Sequence, residues 1–165
     1  MAKKSKSKKG APASSPSDST VARNRRATFD YEILQRFEAG IVLSGTEIKS
    51  VREGRVDLQG SFARFKEREL YLTDMNIAPY ANAGYSQHVP KGDRKLLLHR
   101  RELNRLSEAL GERGLTILPV RLYMKRGRAK VELGLGKGRK SYDKRQRIRE
   151  REEGRQVARA LRHSA

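Results

Sequence analysis

Nearly everything this chain can bury lies in its middle. Its apolar residues are concentrated between about Phe29 and Leu135, and both ends are polar and cationic. A fold needs a face to hide from water, so the packed part must come from that stretch and be modest in size. Hydrophobic residues are only 36% of the 165, while 38 Lys and Arg oppose 19 Asp and Glu for a formal net charge of +19. Length allows one ordinary domain, or a smaller one with tails. The absence of Cys removes disulfides and thiolate metal sites. The longest aliphatic runs, Ile41-Val42-Leu43 and Leu96-Leu97-Leu98, are too short to span a bilayer, and no secretory signal is visible. The expectation is a soluble, cytoplasmic protein.

Residues 1–22 are Lys, Ser, Pro, Ala and Thr with little to bury, and read as a disordered basic extension. Phe29, Tyr31, Ile33 and Phe37 then alternate with charged positions, the period of a half-buried strand, with a bulge or bend expected at Ala39-Gly40. Gly45–Arg52 reads as a short helix capped by Thr46 and ended by Gly54. Residues 61–65 and 70–73 read as a hairpin. A helix is predicted from near Asp93, with Leu96, Leu103, Leu106 and Leu110 on one stripe and Gly111 as its stop. Two further strands, 115–123 and 129–135, flank a turn at Arg126-Gly127. The predicted fold is mainly β: an OB-fold-like antiparallel barrel with inserted helices over residues 23–136.

The tail, 137–165, has a thin apolar stripe of Ile148, Val157, Ala158 and Leu161. It is expected to be disordered when free and helical against a partner. The Gly-rich 134–141 stretch superficially fits a phosphate loop, but Arg139 stands where its second Gly belongs. It reads instead as a basic hinge.

No catalytic constellation and no metal site is legible in the sequence; His88, His99 and His163 are scattered and read as solvated or helix-surface side chains. The prediction is no enzyme and no cofactor. A surplus of this size favours a polyanion, since each neutralised phosphate releases counterions. Arg-rich 137–149, with Tyr142 inside it, reads as an RNA-binding segment rather than a plain solubility tail, since Arg forks and aromatic stacking are what RNA recognition uses. Glu38, in a basic protein, is either a solvated carboxylate or an acceptor for base amino groups or a ribose hydroxyl. These features fit a ribosomal protein or translation factor, and a nucleoid or membrane-associated protein would need only the charge.

Five strings narrow the choice. Asn24-Arg25-Arg26-Ala27, Phe37–Ile41, Gly45–Arg52, Arg94–His99 and Gly138–Arg145 occur in an order and at intervals that closely resemble the bacterial SsrA-binding protein (small protein B) family. The resemblance implies an OB-fold that binds the tRNA-like domain of transfer-messenger RNA. The complex, carried with elongation factor Tu, reaches ribosomes stalled without a stop codon, where the nascent chain is tagged for proteolysis. By the same resemblance Glu38, Leu97 and Lys130 contact the tRNA-like domain, with Arg25, Arg26 and Lys49 in the matching strings expected on the RNA side. Gly138, Arg139, Lys140, Tyr142, Asp143, Lys144 and Arg145 form the tail segment that enters the empty mRNA channel beside the 16S rRNA of the decoding centre. A monomer is expected, with no membrane partner.

Overall fold

The computed structural model describes residues 18–163. In chain order these form β1 (Ser19–Arg23), α1 (Arg25–Asp30), β2 (Tyr31–Ile41), α2 (Gly45–Arg52), β3 (Val56–Asp57), β4 (Phe62–Lys66), β5 (Glu69–Thr73), β6 (Asn76–Ile77), β7 (Arg94–Leu97), α3 (Arg100–Leu110), β8 (Leu115–Lys125), β9 (Arg128–Gly138) and α4 (Ser141–His163). The architecture is mostly antiparallel sheet with helices. Seven strands hydrogen-bond in the order β1-β8-β4-β5-β7-β2-β9, and β8 also pairs with β9; β3 and β6 make a separate two-stranded sheet. The pairings therefore pass from β8 through β4, β5, β7, β2 and β9 back to β8.

Alternation explains the sheet's inner face. On β2, Phe37, Ala39 and Ile41 are buried while Arg36 and Glu38 point outward. Leu70, Leu72, Ile117, Leu122 and Leu133 complete the centre of the core, and α3 lays fully buried Leu106 across it. The β8–β9 hairpin turns at Arg126 and Gly127, both in the left-handed region (φ 50° and 74°) that a two-residue hairpin demands.

Several elements differ from the sequence reading. The segment from Arg94 to Leu97 is a strand, and the helix begins only at Arg100. A Leu-Leu-Leu run serves helix and strand alike; pairing of Leu96 with Leu70 and Ile41 decides for strand. His99 then opens α3, whose Glu102 carboxylate returns to accept from the His99 N–H at 3.1 Å. Before β2, Arg25–Asp30 is helical rather than extended, because the Asn24 side chain caps Ala27 N–H at 3.1 Å and donates to Leu58 O at 3.0 Å. Ser44, not Thr46, caps α2, in a reciprocal capping box with Glu47.

The bulge in β2 lies between Ile33 and Gln35, where Leu34 drops out of register, and not at Ala39-Gly40. The predicted hinge is strand: β9 pairs with β2 as far as Gly138, opposite Tyr31. Gly134 and Gly136 belong to that strand because Ile33 crosses them; a Cβ at Gly134 would stand 3.0 Å from Ile33. Residues 19–22, assigned by composition to the extension, form β1 against β8. The remainder of that extension, residues 1–17, lies outside the described residues.

Residues 141–163 form one helix, continuous through Gly154, with no buried side chain. Asp143 in the first turn and Arg162 and His163 in the last complement the helix dipole, and Gln146 bonds to Glu150 one turn on. These local terms favour helix where the thin apolar stripe suggests disorder in the free chain.

Candidate nucleic-acid interface

The outward face of three strands brings the key residues together. Gly40 on β2 stands opposite Leu97 on β7 and opposite Lys130 on β9. Directly opposed residues share a face, so Leu97, Gly40 and Lys130 make one row. The missing side chain matters: a Cβ at Gly40 would stand 3.3 Å from Leu97 Cβ. Its absence opens a groove between half-exposed Leu97 and Lys130, floored by Leu43 and Ile48 of the α2 region. Glu38, two residues along β2 and on the same side, lines the adjoining hollow with Lys125, Arg128 and Lys130.

The carboxylates on this face are fixed from within. The Tyr123 hydroxyl donates to Glu38 Oε2 in a short hydrogen bond, and Lys125 Nζ lies 3.1 Å from the same oxygen. The Tyr123 bond first, and Lys125 after it, hold Glu38 below the ordinary glutamate range against the opposing effect of partial burial. Burial and the Glu38 charge push the Tyr123 hydroxyl well up, so it remains a neutral donor. Arg121 stacks 4.4 Å from the Tyr123 ring centre and donates to Glu132 at 2.5 Å, while Arg36 reaches Glu132 from the other side at 2.6 Å. Burial opposes ionisation of Glu132, but the two guanidinium groups outweigh it and lower its pKa.

Lys130 and Arg128 make no ion pair among the described residues and remain open to phosphate. The row thus offers cations for a backbone, an apolar side chain in Leu97, and in Glu38 an ionised group that can only accept hydrogen bonds. Such a face suits binding, and it pairs no nucleophile with a base. Among the described residues no group of three His, Asp or Glu could hold a metal. His88, read as solvated, is half-buried and bonded to the Thr46 hydroxyl and Ile77 O.

The other predicted residues lie elsewhere. Arg25 and Arg26 are exposed on α1, and Arg26 lines a separate hollow with Asp30, Tyr31, Gln59 and Thr116. Lys49 sits on α2 over the Tyr80 ring, 5.4 Å from its centre. Gly138 ends β9, and the Arg139 N–H donates to Asp30 O at 2.9 Å. Lys140, Tyr142, Asp143 and Arg145 are exposed at the start of α4. Lys144 is not: its Nζ lies 3.0 Å from Asp30 Oδ1, an oxygen pair shared with Arg26. The Lys144 hydrogen bond is the main cause holding Asp30 below its ordinary value, with partial burial opposing.

Sequence reasoning missed Tyr123, Lys125, Arg121, Arg128 and Glu132. Their signal was available in the hairpin: 121, 123 and 125 alternate on β8 opposite 132, 130 and 128 on β9.

Among the described residues no helix is long and apolar enough to cross a membrane. The sequence pattern described as SmpB protein matches residues 21–163. An SsrA-binding protein of Chloroflexus aggregans is 55% identical over 142 residues, 86% of this chain and 90% of that one. One from Syntrophobacter fumaroxidans is 46% identical over 151 residues, 92% of this chain and 94% of its own. A solved structure described as "tmRNA-SmpB: a journey to the center of the bacterial ribosome" superposes with a TM-score of 0.62 at 53% identity, covering 73% of this chain and 85% of that chain. With the matched pattern running from β1 to the last residue of α4, and identities of about half across most of the length, this chain belongs to the SmpB family.

Proposed function

We propose that this chain binds the tRNA-like domain of transfer-messenger RNA and serves, without catalysis of its own, in trans-translation on stalled ribosomes. The observation that carries the reading is the row of Leu97, Gly40 and Lys130, with Glu38 beside it on the same outward face. Relatives of similar length bear the name SsrA-binding protein, and a similar solved structure is described by tmRNA, SmpB and the bacterial ribosome. In this reading the strand circuit is a closed OB-type barrel spanning 23–136 with short overhangs, acting as a cytoplasmic monomer. Lys130 and Arg128 take phosphates, Glu38 takes base amino groups or a ribose hydroxyl, and Leu97 packs on a sugar or base. Arg25, Arg26 and Lys49 contribute charge around the row.

The tail is assigned the ribosome. With no buried residue, α4 is left to take its packing contacts from a partner, and the 16S rRNA of the empty mRNA channel offers one. Tyr142 stacks in the decoding centre, and Gly138, Arg139, Lys140, Asp143 and Arg145 follow the path that message otherwise fills. Lys144 must exchange Asp30 for phosphate to join them. Elongation factor Tu accompanies delivery.

The test is competition binding of the full chain to a tRNA-like domain RNA against duplex DNA at raised salt. The RNA complex is expected to persist, and Lys130→Ala to weaken it roughly ten-fold, in line with loss of one well-placed charged contact. Equal retention of DNA and RNA, or an unaffected Lys130→Ala variant, contradicts the reading.

A further inference from the structure

The loop between β6 and β7 has no role in the interface described above, yet it is fastened at both ends. The Gln87 side chain closes a ring with Tyr80: Nε2 donates to Tyr80 O at 2.8 Å, and Oε1 accepts the Tyr80 N–H at 3.1 Å. His88 ties the next residue to α2 through the Thr46 hydroxyl at 2.9 Å, and to β6 through Ile77 O at 3.1 Å. Arg94 is only 4% exposed; its guanidinium donates to the carbonyls of Met75, Val89, Pro90 and Gly92 and pairs with Glu47 at 2.8 Å. A buried cation is tolerated when its donors are matched in this way, and here the match fixes the course of the loop.

From this ring Tyr85 projects into solvent, fully exposed, directly after Gly84 in the left-handed conformation (φ +59°). A ring held out on a fastened loop loses little freedom on binding, and in a chain of net charge +19 a π-face in solvent suits a nucleobase. The position is linked to the groove through α2. Ile48 of α2 lines it beside Leu97 and Lys130; the next residue, Lys49, lies over Tyr80; and Tyr80 opens the ring that carries Tyr85. We propose that Tyr85 is a stacking platform for an unpaired base of the RNA held on the Leu97–Gly40–Lys130 row, a reading that rests on the function proposed above.

The full chain and its Tyr85→Ala, Tyr85→Phe and Lys130→Ala variants are compared for affinity toward the tRNA-like domain RNA across a salt series, with thermal unfolding to verify folding. Tyr85→Ala is expected to lose affinity about ten-fold, within the range of one base–aromatic stack. Tyr85→Phe should bind like the parent, and the salt slope should not change, because no charge is removed. If Lys130→Ala weakens binding and Tyr85→Ala does not, stacking is overturned while the RNA reading stands. Equal losses in Tyr85→Ala and Tyr85→Phe assign the effect to the hydroxyl and also overturn stacking. If neither Tyr85→Ala nor Lys130→Ala weakens binding, both the proposal and the RNA reading fall.

Discussion

The sheet body and α4 treat charge in opposite ways. On the body, Glu38, Glu132, Glu69 and Asp93 each accept hydrogen bonds from neighbouring cations or hydroxyls, so the outward face is a fixed array over a closely packed core. On α4, 23 residues pass without one buried side chain, and among the described residues Lys144 with Asp30 is the ion pair that joins it to the body. A fixed array can discriminate between shapes, since misplaced partners leave its groups unpaired. A charged helix with nothing beneath it discriminates little by itself and takes its specificity from the surface it enters.

Packing gives the sharpest contrast. Leu133, fully buried between β2 and β8, and Leu161, exposed on α4, are the same residue in opposite settings. Leu133→Ala is expected to lower unfolding free energy by about 2–5 kcal/mol, and Leu161→Ala to stay within roughly 0.5 kcal/mol, both read from denaturant midpoints. Similar losses in the two variants would break the division between body and tail.

A smaller effect should appear with pH. The folded pKa values of Glu38 and Glu132 are depressed below the ordinary 4.5. Their contribution to stability is therefore fully present above that value and lost as pH falls through the folded pKa beneath it. Denaturant midpoints should be nearly level from pH 7 to about 5 and decline at lower pH. The double variant Glu38→Gln, Glu132→Gln should start lower at pH 7 and decline less steeply below 4.5. An unchanged slope would mean that these carboxylates do not hold the face.

Much of the body was legible in the sequence. Gly45–Arg52 is helical over the predicted span, and the two hairpins fall where alternation and turn residues put them. What was hidden depended on partners distant in the chain. Leu96-Leu97-Leu98 fits a helical stripe until β2 and β5 claim it as a strand. Arg94 gave no sign of burial, because the carbonyls that satisfy it come from a loop of unremarkable composition. Residues 19–22 look like tail, and are strand only because the edge of β8 receives them. The site divides the same way. Glu38, Leu97 and Lys130 were reached through resemblance to a family, whereas Tyr123 and Lys125, which hold Glu38 in place, became visible only with the β8–β9 register.

In the proposed function, recognition of the RNA belongs to the body and action on the ribosome to α4. The most direct test is the affinity of a chain ending at Lys140, which keeps all of β9, for the tRNA-like domain RNA, beside its ability to support peptide tagging on ribosomes carrying truncated message. The account requires a discrete RNA complex of near-parental affinity, with a shallower salt dependence from the lost cations, together with loss of tagging. Loss of the discrete complex while the body remains folded, or tagging at the normal rate without α4, would contradict it.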